Sequence, residues 1–331
     1  MAARAADMAW ATGAAIGVDV GGTKILGVVL DAKGVVRGEA RAPTPRQGDE
    51  LLDAVAAVVA DLARGAPAPL VGVGAPGLVD GAGVLQFAPN LPAIVGLPVR
   101  AGLEARLAGT SIRVANDAGC AGWAESVLGA AQGSDDMLMV TLGTGIGGGI
   151  IAKGRLQEGA NGFAGEFGHM VVDPHGPRCP CGKRGCWERF ASGSGLGRLG
   201  REAAEAGDAP RLVELAGGDP ESVRGEHVTR AVSEGDAGAT AVMASFAWWL
   251  ALGLANLANI FDPATIVIGG GLIESGRILL RPVRQAFDDL VEAVAYRPTI
   301  DIVAARLGEQ AGAIGAALIA RQADPRDLVG G

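Results

Sequence analysis

An α/β protein of two similar domains facing one another across a cleft is what this sequence predicts, on three observations. The chain has 331 residues, 49% hydrophobic and 19% charged, which suits two cores better than one. Strand-like and helix-like apolar patterns alternate along it. The strand, glycine turn, strand pattern that opens the chain returns in its middle, and a repeated supersecondary unit implies a duplicated fold.

The first copy begins with the apolar run Ala15 to Val20, the turn Gly21-Gly22-Thr23, a second run Ile25 to Leu30, the turn Ala32-Lys33-Gly34 and a third run. These read as a three-stranded meander. Asp49 to Arg64 has helical periodicity behind an acidic first turn, and Leu70 to Gly74 is a strand before a Pro/Gly loop. The strand Ile112 to Ala115 runs into Asn116-Asp117, and a helix is expected from Ala118 to Ala131. From Met137 the opening returns. Val140-Thr141-Leu142-Gly143 aligns with Val18-Asp19-Val20-Gly21, and Gly149-Ile150-Ile151 with Gly27-Val28-Val29, at one constant offset. Any two glycine-rich hairpins resemble each other, so the residues inside the turns must decide. Gly193 to about Thr229 is polar and rich in Ala and Gly, and reads as a peripheral insertion of short helices and loops. A long helix, Asp236 to Ile260, then leads to the strand Thr265 to Ile268, the Gly269-Gly270-Gly271 turn and a further helix. The strand Ile300 to Ala304 and the helix Glu309 to Arg321 complete the pattern.

A formal charge of −8 without any Lys/Arg run excludes a nucleic-acid surface, which needs clustered cations. No stretch approaches the roughly 20 uninterrupted apolar residues that span a bilayer. The start, MAARAADMAWATG, has no apolar signal core. No membrane partner is expected, and the cytoplasm is the expected compartment.

Asp19-Val20-Gly21-Gly22-Thr23-Lys24 sets a carboxylate at a strand end, two glycines that let backbone N–H groups reach an anion, then a hydroxyl and an ammonium. Phosphate fits this set. The spacing is neither a Walker A loop nor a dinucleotide fingerprint, both of which need other glycine positions and a helix directly behind. In the second copy, the run Leu142-Gly143-Thr144-Gly145-Ile146-Gly147-Gly148-Gly149 is uncharged and offers open amides and one hydroxyl for terminal phosphates. Gly269-Gly270-Gly271 lets a flat adenine or ribose lie against backbone, although tight strand-to-helix turns need glycine without binding anything. Asn116-Asp117 emerges at the carboxyl end of a strand, where open α/β sheets bind ligands. Asp117 is the expected catalytic base, able to take a proton from a sugar hydroxyl as a phosphoryl group is transferred. The competing reading of Asn-Asp before a helix is a plain N-cap.

His169, Cys179, Cys181 and Cys186 supply three thiols and one imidazole in a short window, a complete tetrahedral Zn²⁺ set with no open position and hence structural. Glu166 and Glu188 flank the loop, and zinc could clamp both carboxylates toward one pocket, with the second His169 nitrogen left for a sugar hydroxyl. The alternative is an ordinary surface loop with exposed carboxylates. His175 and His227 show no partners, Cys120 reads as a small core residue, and Trp248 and Trp249 as core or interface.

Taken in order, Asp19-Val20-Gly21-Gly22-Thr23-Lys24, Gly74-Ala75-Pro76-Gly77, Asn116-Asp117, Leu142-Gly143-Thr144-Gly145, Glu166-x-x-His169 and Cys179-x-Cys181-Gly-x-x-Gly-Cys186-x-Glu188 resemble the ROK family. The resemblance implies the ribonuclease H-like, actin/hexokinase-type duplicated fold, with ATP and Mg²⁺ in the cleft, structural Zn²⁺, and a homodimer or homotetramer. It implies a small N-terminal domain, 1–121 with 313–331, and a large domain, 122–312, with the zinc loop and the dimerisation helices. Asp117 matches the family's base, and Asn116, Glu166, His169 and Glu188 its sugar ligands. Asp19, Gly21, Gly22, Thr23 and Lys24 match the first phosphate loop, Thr144 and Gly145 the second, and Gly269, Gly270 and Gly271 the nucleoside side. Asn90 resembles a further sugar contact, though Ala93-Ile94-Val95 stands where the pattern brings an aromatic. The activity so implied is transfer of the γ-phosphoryl group of ATP to the 6-hydroxyl of glucose, with fructose, mannose, N-acetylmannosamine or N-acetylglucosamine as alternative acceptors. The zinc segment resembles the ATP-using members rather than the polyphosphate-dependent ones. The family's repressors carry a DNA-binding domain ahead of the sugar domain, and the roughly fifteen residues before the first strand are too few for a helix-turn-helix, so a sugar-sensing role without catalysis is not expected.

Overall fold

The computed structural model describes residues 13–65, 68, 70–88 and 92–322. They form two compact units, one drawn from Met1–Gly133, Gly149–Gly165 and Leu307–Gly331, the other from Ser134–Gly148 and Glu166–Arg306.

The first unit contains β1 (Ala15–Val20), β2 (Lys24–Leu30), β3 (Val36–Pro43), α1 (Gly48–Ala63), β4 (Leu70–Ala75), β5 (Leu78–Val79), β6 (Val84–Phe87), β7 (Leu97–Pro98), α2 (Val99–Arg106), β8 (Ser111–Asn116) and α3 (Asp117–Val127). One sheet runs in the order β3-β2-β1-β4-β8, with β1 antiparallel to β2 and parallel to β4, and β4 parallel to β8. Alternation along β1 divides its side chains between the two faces. Ile16, Val18 and Val20 join Leu51, Leu52, Val55, Val58 and Val59 of α1 in one core. Ala15 turns the other way, toward Ala313 and Ala317 of the last described helix, α10 (Ala311–Ala320). That helix lies unusually close to the sheet. A methyl group on Gly17 or Gly72 would meet the carbonyl oxygen of Ala313 or Ala316 at 1.8 Å.

The second unit contains β9 (Met137–Leu142), the start of the strand β10 (Ile146–Ala152), α4 (Glu188–Ala191), α5 (Gly193–Glu205), α6 (Pro210–Leu215), α7 (Gly225–Ser233), α8 (Ala237–Phe261), β12 (Thr265–Gly269), α9 (Arg277–Leu290) and β13 (Asp301–Ala304), while the rest of β10 and the short β11 (Arg155–Leu156) fall in the residues of the first. The second sheet order, β11-β10-β9-β12-β13, repeats that of the first sheet, and β12 is parallel to both β9 and β13. The internal repeat read in the sequence is thus a repeat of topology.

Three differences have physical causes. The domain borders expected at 121 and 312 fall inside α3 and α10, helices joined by continuous backbone hydrogen bonds whose residues lie wholly within the first unit. The segment from Gly193 to Thr229 is a packed helical layer and not a peripheral insertion, because Leu196, Leu212, Val223 and Val228 are fully buried. Finally, α8 has no charged residue over 25 positions and is long and apolar enough to cross a bilayer, which the sequence reading did not see. With 61% of its apolar window buried, it serves as the core helix of its unit. Gly253 in its middle receives the indole of Trp187, whose Nε1 donates to the Trp249 carbonyl at 2.8 Å.

Candidate active site

In the first unit the polar groups gather at the carboxyl ends of β1, β4 and β8. Asp19 leaves β1 on the face covered by α10, where Gly312 makes room for its carboxylate, and a methyl on Gly74 would lie 3.6 Å from Asp19 Oδ1 and 3.4 Å from Asp117 Cα. Burial, and the Asp117 charge after it, push the Asp19 carboxyl up to about 7, with Lys24 pulling the other way. The turn after β1 closes through Gly21 N–H donating to the Lys24 carbonyl at 2.9 Å, and Thr44 of the strand end beside it donates its hydroxyl to the Gly21 carbonyl at 2.7 Å. Lys24 Nζ reaches Glu309 Oε2 at 2.5 Å. Glu309 also accepts from Arg41, and these two partners, Arg41 foremost, hold its carboxyl down at about 2.

Asn116 is the N-cap of α3, accepting from Gly119 N–H at 2.9 Å, while its Nδ2 donates to the Gly77 carbonyl at 3.1 Å. The capping reading therefore holds for Asn116, and its Nδ2 ties the cap to the Gly74-Ala75-Pro76-Gly77 loop. Asp117 is the first residue of the helix proper, with Oδ1 accepting from Ala118 N–H at 2.8 Å.

In the second unit the Gly143–Gly145 turn is tied to the start of α5. Gly193 N–H donates to the Gly143 carbonyl at 2.8 Å, and Ser194 Oγ lies 2.8 Å from the Thr144 carbonyl. A cavity of about 700 Å³ opens here, lined among others by Gly143, Thr144, Ser194, Arg201, Arg224, Glu226 and Gly271. Gly270, at φ 85°, is pressed against the Leu142 backbone, where a side chain would meet the Leu142 carbonyl at 2.5 Å. Gly269 belongs to the end of β12 instead, packed on Met139. The sequence reading missed Ser194, Arg201, Arg224 and Glu226. They lie in the segment read as an insertion, and only the Ser-x-Ser-Gly start of α5 carries a local signal, that of a cap.

His169, Cys179, Cys181 and Cys186 do come together, with all four ligand atoms within 4.8 Å of one another. Cys179 Sγ stands 3.8 Å from His169 Nδ1, and Cys181 Sγ 3.6 Å from Cys186 Sγ. A tetrahedron with Zn–S arms of ~2.3 Å has edges of about 3.8 Å, so the donor set and its spacing fit a tetrahedral ion. The loop folds this way because Gly185, at φ 70°, passes so close to the Asp173 carbonyl that no side chain fits, and because Cys179 N–H closes the turn onto the Lys183 carbonyl at 2.8 Å. Burial pushes the Cys179 and Cys186 thiols up, which makes a bound cation the natural means of holding them as thiolates.

Both flanking carboxylates face the imidazole. Glu166 Oε2 is 3.7 Å from His169 Nε2, and Glu188 Oε1 is 3.8 Å from His169 Nδ1 and 3.0 Å from Cys179 Sγ. Burial raises the Glu166 carboxyl, the Glu188 charge adds to this, and His169 opposes it. Glu166 and Glu188 are therefore not ordinary exposed loop carboxylates. With Nδ1 toward the sulfurs, Nε2 is left for a ligand on the Glu166 side.

Of the remaining candidates, Asn90 lies outside the described residues. His227 has a partner after all, its Nδ1 accepting from Arg224 N–H at the start of α7. Trp249 stacks on Phe190 with ring centroids 4.2 Å apart, while Trp248 stays 43% exposed.

Comparison with known proteins bears on the whole assembly. A glucokinase of Streptomyces coelicolor is 39% identical over 316 residues, covering 95% of this chain and 99% of that protein. An N-acetylmannosamine kinase of Shigella boydii is 35% identical over 312 residues, covering 92% and 98%. Among solved structures, a ROK family glucokinase from Streptomyces griseus in complex with glucose and AMPPNP superposes with a TM-score of 0.83 at 40% identity, covering 94% of this chain and all of that one. The fold is the actin/hexokinase-like one of these kinases. The ROK family model matches residues 15–323, and the chain belongs to the ROK family.

Proposed function

We propose that this ROK sugar kinase is an ATP-dependent glucokinase with Asp117 as its general base. The observation that carries the reading is 40% identity, along nearly the whole chain, to a glucokinase solved with glucose and AMPPNP. The residues support it. Asp117 takes the proton of the sugar 6-hydroxyl as that oxygen attacks the γ-phosphorus. Asn116, with one Nδ2 hydrogen and its oxygen engaged inside the fold, keeps one N–H for the sugar. Glu166, His169 Nε2 and Glu188 accept from or donate to the remaining hydroxyls. Asn90 is assigned to the same sugar. Gly21, Gly22, Thr23 and Lys24 receive phosphate on the first unit, Thr144 and Gly145 on the second, and the turn Gly269 to Gly271 the nucleoside, with the Ser194, Arg201, Arg224 and Glu226 cavity around it. Asp19 is the carboxylate that would hold Mg²⁺, which brings charge neutralisation when bound with ATP; burial and the Asp117 charge raise its pKa, as expected of a place short of positive charge. His169, Cys179, Cys181 and Cys186 would hold Zn²⁺, which supplies cross-linking of the loop and no open coordination position. We assign the protein to the cytoplasm as a homodimer or homotetramer, with the exposed Trp248 and Ile260 of α8 in the contact between copies.

A second reading, a kinase for N-acetylmannosamine or another hexose, is favoured by the 35% identity to N-acetylmannosamine kinases. ADP release with ATP, Mg²⁺ and a panel of hexoses and N-acetylhexosamines separates the two. Glucose with the highest kcat/KM supports the proposal, N-acetylmannosamine in first place replaces the substrate and keeps the mechanism, and the absence of sugar-dependent turnover overturns both.

A further inference from the structure

Gly145 sits in the turn whose sequence assigns it to the nucleotide, yet what it touches is on the sugar side. A methyl group built on Gly145 would lie 2.5 Å from Glu188 Oε2 and 3.6 Å from Glu188 Cδ, with no other group near it. Its φ is not in the left-handed region, so backbone conformation does not demand glycine there. Gly143, two residues earlier in the same turn, has open space where a side chain would stand. The glycine at 145 is thus explained by one neighbour, the Glu188 carboxylate beside it.

The backbone of α4 is fastened to the same turn. Ser192 Oγ lies 2.6 Å from the Glu188 carbonyl and 2.9 Å from Ser194 Oγ, and Ser194 Oγ lies 2.8 Å from the Thr144 carbonyl. Ser192 is fully buried, so the Glu188 end of this hydroxyl bridge is sheltered from water, while its Thr144 end is open. Glu188 is therefore held at both ends: its main chain through two serines, its carboxylate by the bare face of Gly145.

We infer that Gly145 is a positioning residue for sugar binding: by lacking a side chain it sets where the Glu188 carboxylate rests. The inference rests on the reading of Glu188 as a sugar ligand. Because the clash falls on the free end of a flexible side chain, Gly145→Ala shifts Glu188 and leaves the fold in place. The effect must appear in sugar binding without nucleotide, which a role confined to ATP would not touch.

The test is calorimetric titration of glucose into the zinc-loaded full chain with no nucleotide present, for the wild type, Gly145→Ala, Gly143→Ala, Glu188→Ala and the double variant Gly145→Ala/Glu188→Ala, with metal content and melting temperature recorded for each. The expected result is a roughly tenfold weaker glucose affinity for Gly145→Ala, wild-type glucose affinity for Gly143→Ala, and no added loss when Gly145→Ala is placed on Glu188→Ala. Glucose binding by Gly145→Ala at wild-type strength overturns the inference, as does an equal loss in Gly143→Ala or an additive loss in the double variant. Should Gly145→Ala fail to fold, Ser194→Ala, which cuts the bridge and leaves Gly145 bare, must weaken glucose less than Glu188→Ala does while preserving zinc; no weakening at all overturns the seating of Glu188. A wild type that binds no hexose, or a Glu188→Ala that binds glucose normally, refutes the underlying sugar-site reading instead.

Discussion

The two glycine turns, one in each unit, share a sheet topology and little else. The turn after β1 carries its own charges, Asp19 before it and Lys24 after it, and Lys24 is paired within the unit with Glu309, which Arg41 also holds. The turn after β9 carries none, and leans on helix α5, whose first residues bond to the Gly143 and Thr144 carbonyls. The two copies of one scaffold thus differ in what they offer an anion, with side-chain charge on one and backbone amides and hydroxyls on the other. Charge placed by a flexible lysine is adjustable and sensitive to salt, whereas amides fixed at a helix start are rigid and are not.

The largest effect that sharpens this contrast lies on the charged copy. Asp117→Asn is expected to lower kcat by about 10²- to 10⁴-fold with an unchanged melting temperature, read from steady-state turnover and thermal denaturation. Next, Cys181→Ser should lose zinc and raise the sugar KM by at least about tenfold while altering the ATP KM far less, which metal analysis and separate titrations of the two substrates will show. Lys24→Ala should raise the ATP KM roughly tenfold and flatten its dependence on salt, and Thr144→Ala should leave that salt dependence intact; identical salt profiles would remove the distinction drawn between the turns. The smallest effect concerns pH. The Asp19 carboxyl stands at about 7 in the folded protein against an ordinary value of 3.8, so the folded state binds this proton more tightly than the unfolded chain does. Its stabilising contribution is complete below about pH 4 and is lost as pH rises through about 7. Asp19→Asn should flatten that part of the melting-temperature profile, measured without divalent cations.

Much of this was written locally. Alternation along β1 and β9, the Gly-Gly-Thr turn and the close Cys spacing each depend on neighbours in sequence, and the strands, the turn and the four-residue cluster stand where the pattern puts them. What could not be read depends on partners far apart in the chain. Glu309 meets Lys24 across 285 positions, and no spacing rule reaches that far. The segment from Gly193 to Thr229 looked loose because its apolar residues are sparse, yet Leu196, Leu212 and Val228 suffice once α8 lies beneath them. Gly253 looked like a tolerated fault in α8 and is the seat of Trp187. Asn116 shows that competing readings can both hold, since a cap and a proposed sugar contact use different atoms of one amide.

The place of α10 has a consequence for the order of events during synthesis. The sheet that begins the chain is covered on one face by residues 311–320, and Gly17 and Gly72 are shaped to nothing but that helix. A nascent chain emerging residue by residue therefore exposes the apolar underside of β1, β2 and β4 until residues 311–320 have left the ribosome, while the second unit, whose residues end at Arg306, is free to form earlier. The part made first is finished last, and a chain cut short before Ala311 is left with an open, aggregation-prone sheet.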